Sequence, residues 1–133
     1  MRKIVDRGRI LGVKEFVAAG IITFIPGCNE LCKNDELSRI NSPNEQRSIV
    51  IFVRDCGATT SWSWQASLVQ GSKRLPNKPG NVLITAGSSK SDQWEVEWKA
   101  NNRVIFTLPA GIEVRQQIKK VGDVEVAYYV RTE

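Results

Sequence analysis

The pattern of apolar and polar residues from position 49 onward predicts strands rather than helices. Residues 49–53 form a continuous apolar run of mostly β-branched side chains, which is typical of a strand buried on both faces. Residues 93–99 alternate, with Trp94, Val96 and Trp98 on one face and polar residues on the other. This second pattern predicts a half-buried strand.

Further strands are predicted between turn signals that recur along the chain. They cover residues 62–69, 81–86, 103–108, 112–120 and 124–131. Asn101-Asn102 and residues 121–123 provide two turns, and residues 70–80 and 87–92 are predicted loops. Residues 33–40 fit a short helix or a strand equally well. We therefore predict an all-β domain of about six to eight strands with little helix, arranged as an antiparallel meander, sandwich or small barrel.

Composition is that of one small globular domain without an evident catalytic centre. The chain has 133 residues, of which 41% are apolar and 25% are charged, and it contains no histidine. Histidine is the commonest general base and the commonest metal ligand in proteins, so the most frequent residue of catalytic and metal sites is missing. No nucleophile is paired with a base in any recognisable motif. We predict a protein that is not an enzyme and that uses no cofactor and no metal.

Positive charge is concentrated at the N-terminus. Residues 1–27 carry five basic and two acidic side chains, whereas residues 28–133 carry 14 basic and 12 acidic ones. The body of the protein is therefore close to neutral. Lys73, Arg74 and Lys78 form a basic cluster, and they lie in a predicted loop, where charged residues are usually solvated. We predict no nucleic-acid partner.

The first 27 residues have the organisation of a secretory signal. A basic stretch precedes ten uncharged residues, 16–25, and Pro26, Gly27 and Cys28 follow. An apolar segment of this length is too short for a transmembrane helix, which needs about 20 residues. Residues 25–28 resemble the lipobox of bacterial lipoproteins, in which the cysteine carries the lipid. We predict a signal peptide over 1–27 and one β domain over 28–133. The alternative is a cytoplasmic protein that keeps this segment in its core.

The three cysteines fit an exported protein. If Cys28 carries lipid, Cys32 and Cys56 remain, and an oxidising envelope would allow them to form a disulfide. Cys28 and Cys32 also have a spacing found in metal sites. However, one further cysteine and no histidine leave a zinc site without its fourth soft ligand.

Residues 54–60, Arg-Asp-Cys-Gly-Ala-Thr-Thr, form the most specific motif. Together with Ser42-Pro43-Asn44 upstream and the segments 95–98 and 104–106 downstream, it resembles a family of small bacterial envelope lipoproteins of unknown function. The resemblance covers residues 36–108 and implies a lipid on Cys28, a disulfide between Cys56 and Cys32, and a sheet like one blade of a β-propeller. The chain departs from the family pattern at Glu45, where glycine is usual. The resemblance implies no activity.

Candidate binding residues lie in and after this motif. Gly57, Thr59, Thr60 and their backbone N–H groups are suited to an anion site, and Arg54 and Asp55 are adjacent. The alternative is a structural turn in which the hydroxyls bond the local backbone, and we favour it.

Two tryptophans follow the motif, Trp62 and Trp64, and they share one face of a predicted strand. They form either a stacking surface for a sugar or a partner, or part of a core with Trp94 and Trp98. We favour the core.

Three functions fit these observations. The leading one is a lipoprotein of the bacterial cell envelope, anchored in the membrane through Cys28, that binds or inhibits an envelope protein or a glycan of the cell wall. The second is a cytoplasmic interaction or immunity-type protein with free thiols. The third is a hydrolase in which Asp55 pairs with Asp35 or Glu36 as acid and base.

Overall fold

A computed structural model describes residues 31–57, 62–87 and 93–132. These residues form nine strands and no α-helix, which confirms the predicted all-β class. The strands are β1 (Lys33–Asn41), β2 (Arg47–Asp55), β3 (Ser63–Gln70), β4 (Leu83–Thr85), β5 (Glu95–Ala100), β6 (Arg103–Leu108), β7 (Val114–Gln117), β8 (Lys120–Val121) and β9 (Val124–Val130).

The strands form two sheets. The first sheet has the order β1-β2-β3-β4-β7, and all its neighbours are antiparallel. The second has the order β5-β6-β9-β8, in which β9 lies parallel to β6. Parallel pairing was not predicted. Parallel neighbours cannot be joined by a tight turn, and here β7 of the first sheet and β8, which is antiparallel to β9, lie between β6 and β9 in the chain.

The main core contains alternate residues from both sheets, as expected for a β-sandwich. Its buried residues are Ile49, Ile51, Ala66, Val82, Leu83, Trp94, Val104, Phe106, Leu108, Val124 and Val126. The opposite face of β2 carries Val50 and Phe52, which pack with Val69 and with Leu75 of the loop after β3. Strand β2 is therefore buried on both faces, as predicted.

The loop between β3 and β4 is held against the first sheet by side-chain amides. Asn34 Nδ2 donates hydrogen bonds to Pro76 O at 3.0 Å and Lys78 O at 2.8 Å. Asn77 Nδ2 donates to Cys32 O at 3.0 Å. The predicted loop is thus largely exposed, yet it is fixed across the outer face of β1 and β2.

A β-bulge interrupts β1, where the pairing register with β2 shifts between Glu36 and Ser38. Residues three apart lie on opposite faces of a regular strand, but the extra residue at Leu37 brings Glu36 and Arg39 together. The Arg39 guanidinium donates to both Glu36 carboxylate oxygens, at 3.0 and 3.1 Å. This ion pair lowers the pKa of Glu36. The segment that fitted a helix or a strand is a bulged strand.

A disulfide joins Cys32 and Cys56, as predicted. The two cysteines lie immediately outside the first register pair of β1 and β2, Lys33 and Asp55. The bond therefore joins the two strand ends at one corner of the first sheet. Cys28 and the predicted signal, residues 1–27, lie outside the described residues.

Glu45 occupies the turn between β1 and β2 with a left-handed backbone, φ 60°. Glu45 N–H donates to Ser42 O at 2.9 Å, which closes the turn. This conformation destabilises residues other than glycine by about 1–2 kcal/mol. Glycine avoids that strain, but its greater loss of backbone entropy on folding costs about 0.5–1 kcal/mol. We expect Glu45→Gly to raise the free energy of unfolding by about 0.5 kcal/mol in urea denaturation. The control Glu125→Gly, within β9, should lower the free energy of unfolding. A loss of stability in Glu45→Gly would contradict the left-handed backbone at Glu45.

Tyr128 connects β9 to two other segments. Its hydroxyl lies 2.6 Å from Ile118 O and 3.1 Å from Val82 O, and its ring centroid lies 5.5 Å from that of Phe106. Burial raises the pKa of this hydroxyl well above its ordinary value. The neutral form is therefore favoured in the folded state. The resulting stability is complete below the unfolded-state pKa of about 10 and is lost as pH rises above it.

We expect Tyr128→Phe to lower the free energy of unfolding by about 1 kcal/mol at pH 7. This difference from the wild-type protein should shrink above pH 10, because only the wild-type protein then gains an ionised tyrosinate at this position on unfolding. Urea denaturation at pH 7 and at several values above pH 10 measures both effects. A difference that is constant with pH would contradict the prediction.

Candidate functional site

An open groove lies where the core-facing side of the first sheet reaches the protein surface. Alternate residues of β2 point to this side, and their burial decreases along the strand: Ile49 is fully buried, Val53 is half-buried and Asp55 is exposed. The groove has a volume of about 300 Å³ and is lined by Asp35, Leu37, Val53, Asp55 and Trp62. We call it the acidic groove.

Two large apolar side chains of the groove are exposed to solvent. Leu37 is 48% exposed and Trp62 is 60% exposed. Single exposed apolar residues are common on protein surfaces, whereas several that line one depression indicate a contact surface. Leu37 follows Asp35 by two residues along β1, at the bulge between Glu36 and Ser38. Trp62 lies just before β3, two residues from Trp64, which pairs with Val53.

The two carboxylates are diagonal neighbours on the same face of the sheet. Asp35 lies opposite Val53, and Asp55 lies opposite Lys33. Lys33 Nζ is 4.0 Å from Asp35 Oδ1, with the side chains 77% and 60% exposed, so this ion pair contributes little to stability. Asp55 Oδ1 accepts a hydrogen bond from Gly57 N–H at 3.0 Å. The groove therefore combines an apolar floor with two carboxylates and one lysine nearby.

Arg54 does not line the groove, because it lies on the opposite face of β2 from Asp55. Its Nη1 donates to Asn34 Oδ1 at 2.8 Å and to Asn77 Oδ1 at 3.1 Å. Burial lowers the pKa of its guanidinium. Arg54 thus joins β1, β2 and the loop after β3, which is a structural arrangement.

The predicted anion site is described only in part. Gly57 has a positive φ of 113°, and its N–H bonds Asp55 two residues earlier. This geometry is that of a local turn. Thr59 and Thr60 lie outside the described residues.

The four tryptophans do not share one core. Trp94 is buried, and Trp64 and Trp98 pack against the main core. Trp98 Nε1 also donates to Ile40 O at 2.9 Å. Trp62 is exposed, so the prediction of a common core was wrong for this residue. The alternative of an exposed stacking surface fits its position.

Two residues of the groove, Leu37 and Val53, were not among the predicted site residues. Nothing in their local sequence marks them as a binding surface, because the pairing of β1 with β2 places them together. Asp35 was considered only as the partner of Asp55 in a hydrolase.

Neither a metal site nor a membrane span is found in the part of the chain that the structure describes. There, no three side chains of the metal-ligating types are grouped to hold an ion. Over the same residues, no helix has the length and hydropathy to cross a bilayer.

Comparison of the chain with protein-family models, with curated proteins and with solved structures finds no match.

Proposed function

We propose that the chain is a membrane-anchored lipoprotein of the bacterial cell envelope whose β domain binds an envelope protein or a cell-wall component through the acidic groove. The signal-like segment 1–27, the cysteine at position 28 and the resemblance of residues 36–108 to envelope lipoproteins support the location. A disulfide between Cys32 and Cys56 fits an oxidising compartment.

The exposed Trp62 beside two carboxylates is the observation that carries the binding role. A tryptophan that is 60% exposed loses the stabilisation that burial of its ring would bring. Its partners in the groove, Leu37 and Val53, extend the apolar surface. A ligand that covers this surface and meets Asp35 and Asp55 would bury apolar area and satisfy both charges.

One observation favours the hydrolase as a second candidate, because Asp35 and Asp55 line the same groove. However, both carboxylates are exposed, whereas a carboxyl that acts as a general acid is normally held in a site that excludes water. We therefore favour binding. A hydrolytic activity that Asp55→Asn abolishes would favour the enzyme instead.

The intact mass of protein purified from membranes of a bacterium that expresses the full chain tests the location. A mass that begins at Cys28 with a diacylglyceryl group, and that increases by two protons on reduction, is the expected result. A mass of the full chain from Met1, with three thiols that react with an alkylating agent, would instead support the cytoplasmic interaction protein.

A further inference from the structure

We propose that the acidic groove binds the side chain of a lysine or arginine presented by a partner protein. This inference rests on the proposed binding function and specifies the ligand of the same site. It follows from the way the apolar and charged groups of the groove are combined.

Charge complementarity is the first argument. Asp35 and Asp55 carry two negative charges on one face, while Lys33, 4.0 Å from Asp35, brings one positive charge. A ligand cation would form charge-assisted hydrogen bonds with both carboxylates, and such bonds are about twice as strong as neutral ones. A neutral glycan offers hydroxyl and amide donors, which can hydrogen-bond the carboxylates but bring no opposite charge.

The apolar lining matches the rest of such a ligand. Lysine and arginine join a positive head to a long aliphatic stem, which packs along apolar surfaces while the head stays polar. Leu37 and Val53 provide a surface for the stem. Trp62 offers the aromatic ring type that binds cations most strongly through its face. The groove therefore suits both parts of one basic side chain.

The bulge in β1 argues for recognition of a side chain rather than of an extended backbone. Strand β1 is the outer strand of its sheet, a position at which partner peptides often add a strand. The register shift between Glu36 and Ser38 interrupts the regular ladder beside the groove. Strand addition would meet this irregularity, whereas a single inserted side chain would not.

Binding of short fluorescent peptides to the full-length protein, measured by fluorescence anisotropy, tests the proposal. The peptides are identical except for a central lysine, arginine, acetyl-lysine or glutamate. We expect the lysine and arginine peptides to bind at least about tenfold more tightly than the acetyl-lysine peptide. Their affinity should fall as salt concentration rises, because the carboxylates of the groove are exposed.

Variants of the groove locate the binding. Asp35→Asn, Asp55→Asn and Trp62→Ala are each expected to weaken binding of the lysine peptide about fivefold or more. Glu125→Gln and Tyr129→Ala change an exposed acid and an exposed aromatic residue of the second sheet and should bind like the wild-type protein. Circular dichroism and urea denaturation of each variant confirm that it remains folded.

The inference would be overturned by no binding of the lysine peptide, by equal binding of its acetylated form, or by unchanged binding to all groove variants. A chitin tetrasaccharide is tested in parallel. If it binds the wild-type protein independently of salt, and Trp62→Ala abolishes that binding, the groove is a glycan site and the lysine proposal is wrong.

Failure of this inference is distinguishable from failure of the proposed function. A lipidated mass beginning at Cys28, combined with glycan binding, would leave the envelope lipoprotein in place and remove only its basic ligand. Conversely, lysine-peptide binding by a protein with the full-chain mass and free thiols would support the groove but overturn the envelope location.

Discussion

Removal of the disulfide by Cys32→Ser with Cys56→Ser is expected to lower the free energy of unfolding by about 3 kcal/mol, which is the largest effect that we predict. The bond closes a loop over a sequence separation of 24 residues and so restricts the unfolded chain. Loss of the covalent bond also frees the strand ends that hold the loop after β3, which Asn77 anchors at Cys32 O.

Urea denaturation of the full-length protein, with and without reductant, measures this effect. Cys28→Ser is the matched control when all proteins are compared as unlipidated full chains, because Cys28 is not part of the bond, and it should leave the unfolding midpoint unchanged. Reductant should destabilise the wild-type protein and leave the double variant unaffected. A double variant as stable as the oxidised wild-type protein would show that the bond contributes nothing.

Replacement of Gly80 by alanine is expected to lower the free energy of unfolding by about 2–3 kcal/mol, because there is no space for a side chain at this position. A Cβ atom at Gly80 would lie 2.6 Å from Ala66 O and 3.0 Å from Leu83 O. Both are backbone atoms, in β3 and β4, so they cannot move aside as a flexible side chain can. Gly80 N–H also donates to Gln65 Oε1 at 2.7 Å, which fixes the backbone further.

Gly122→Ala separates this steric effect from the loss of glycine's conformational freedom. Gly122 has a positive φ of 60°, and a Cβ atom there would meet nothing within 4 Å. Its replacement should therefore cost only about 1 kcal/mol of backbone strain. Thermal and urea denaturation of both variants provide the comparison. If the Gly80→Ala protein were as stable as the Gly122→Ala protein, the steric clash predicted between a Cβ atom at position 80 and the backbone of β3 and β4 would be contradicted.

Features that depend on neighbouring residues along the chain were predictable. The predicted strand over residues 103–108 has the bounds of β6, Arg103–Leu108, because its apolar residues alternate regularly between two turns. The apolar run at 49–53 correctly indicated a strand with two buried faces. The Cys32–Cys56 disulfide was predicted on the premise that Cys28 carries lipid, which would leave a single pair of cysteines.

Strand β1 shows where local pattern fails. From the sequence alone, residues 33–40 fitted a short helix or a strand equally well. In the structure a bulge at Leu37 shifts the register, and Ile40 then pairs with the buried Ile49. The bulge is set by pairing with β2, and alternation along β1 alone does not contain that information.

The amino-acid sequence by itself determined the all-β class, most strand positions and the residues available for a binding site, because these follow from side-chain alternation and residue chemistry. Only the tertiary structure decided that β9 lies parallel to β6 and that Trp62 remains exposed. It also decided that Arg54 lies on the opposite face of the sheet from Asp55, where it donates hydrogen bonds to Asn34 and Asn77. Likewise, the acidic groove exists because strand pairing brings Asp35 beside residues 18 to 27 positions later in the chain. Contacts over such distances depend on register and on which surfaces the second sheet covers, and these are properties of the packed molecule.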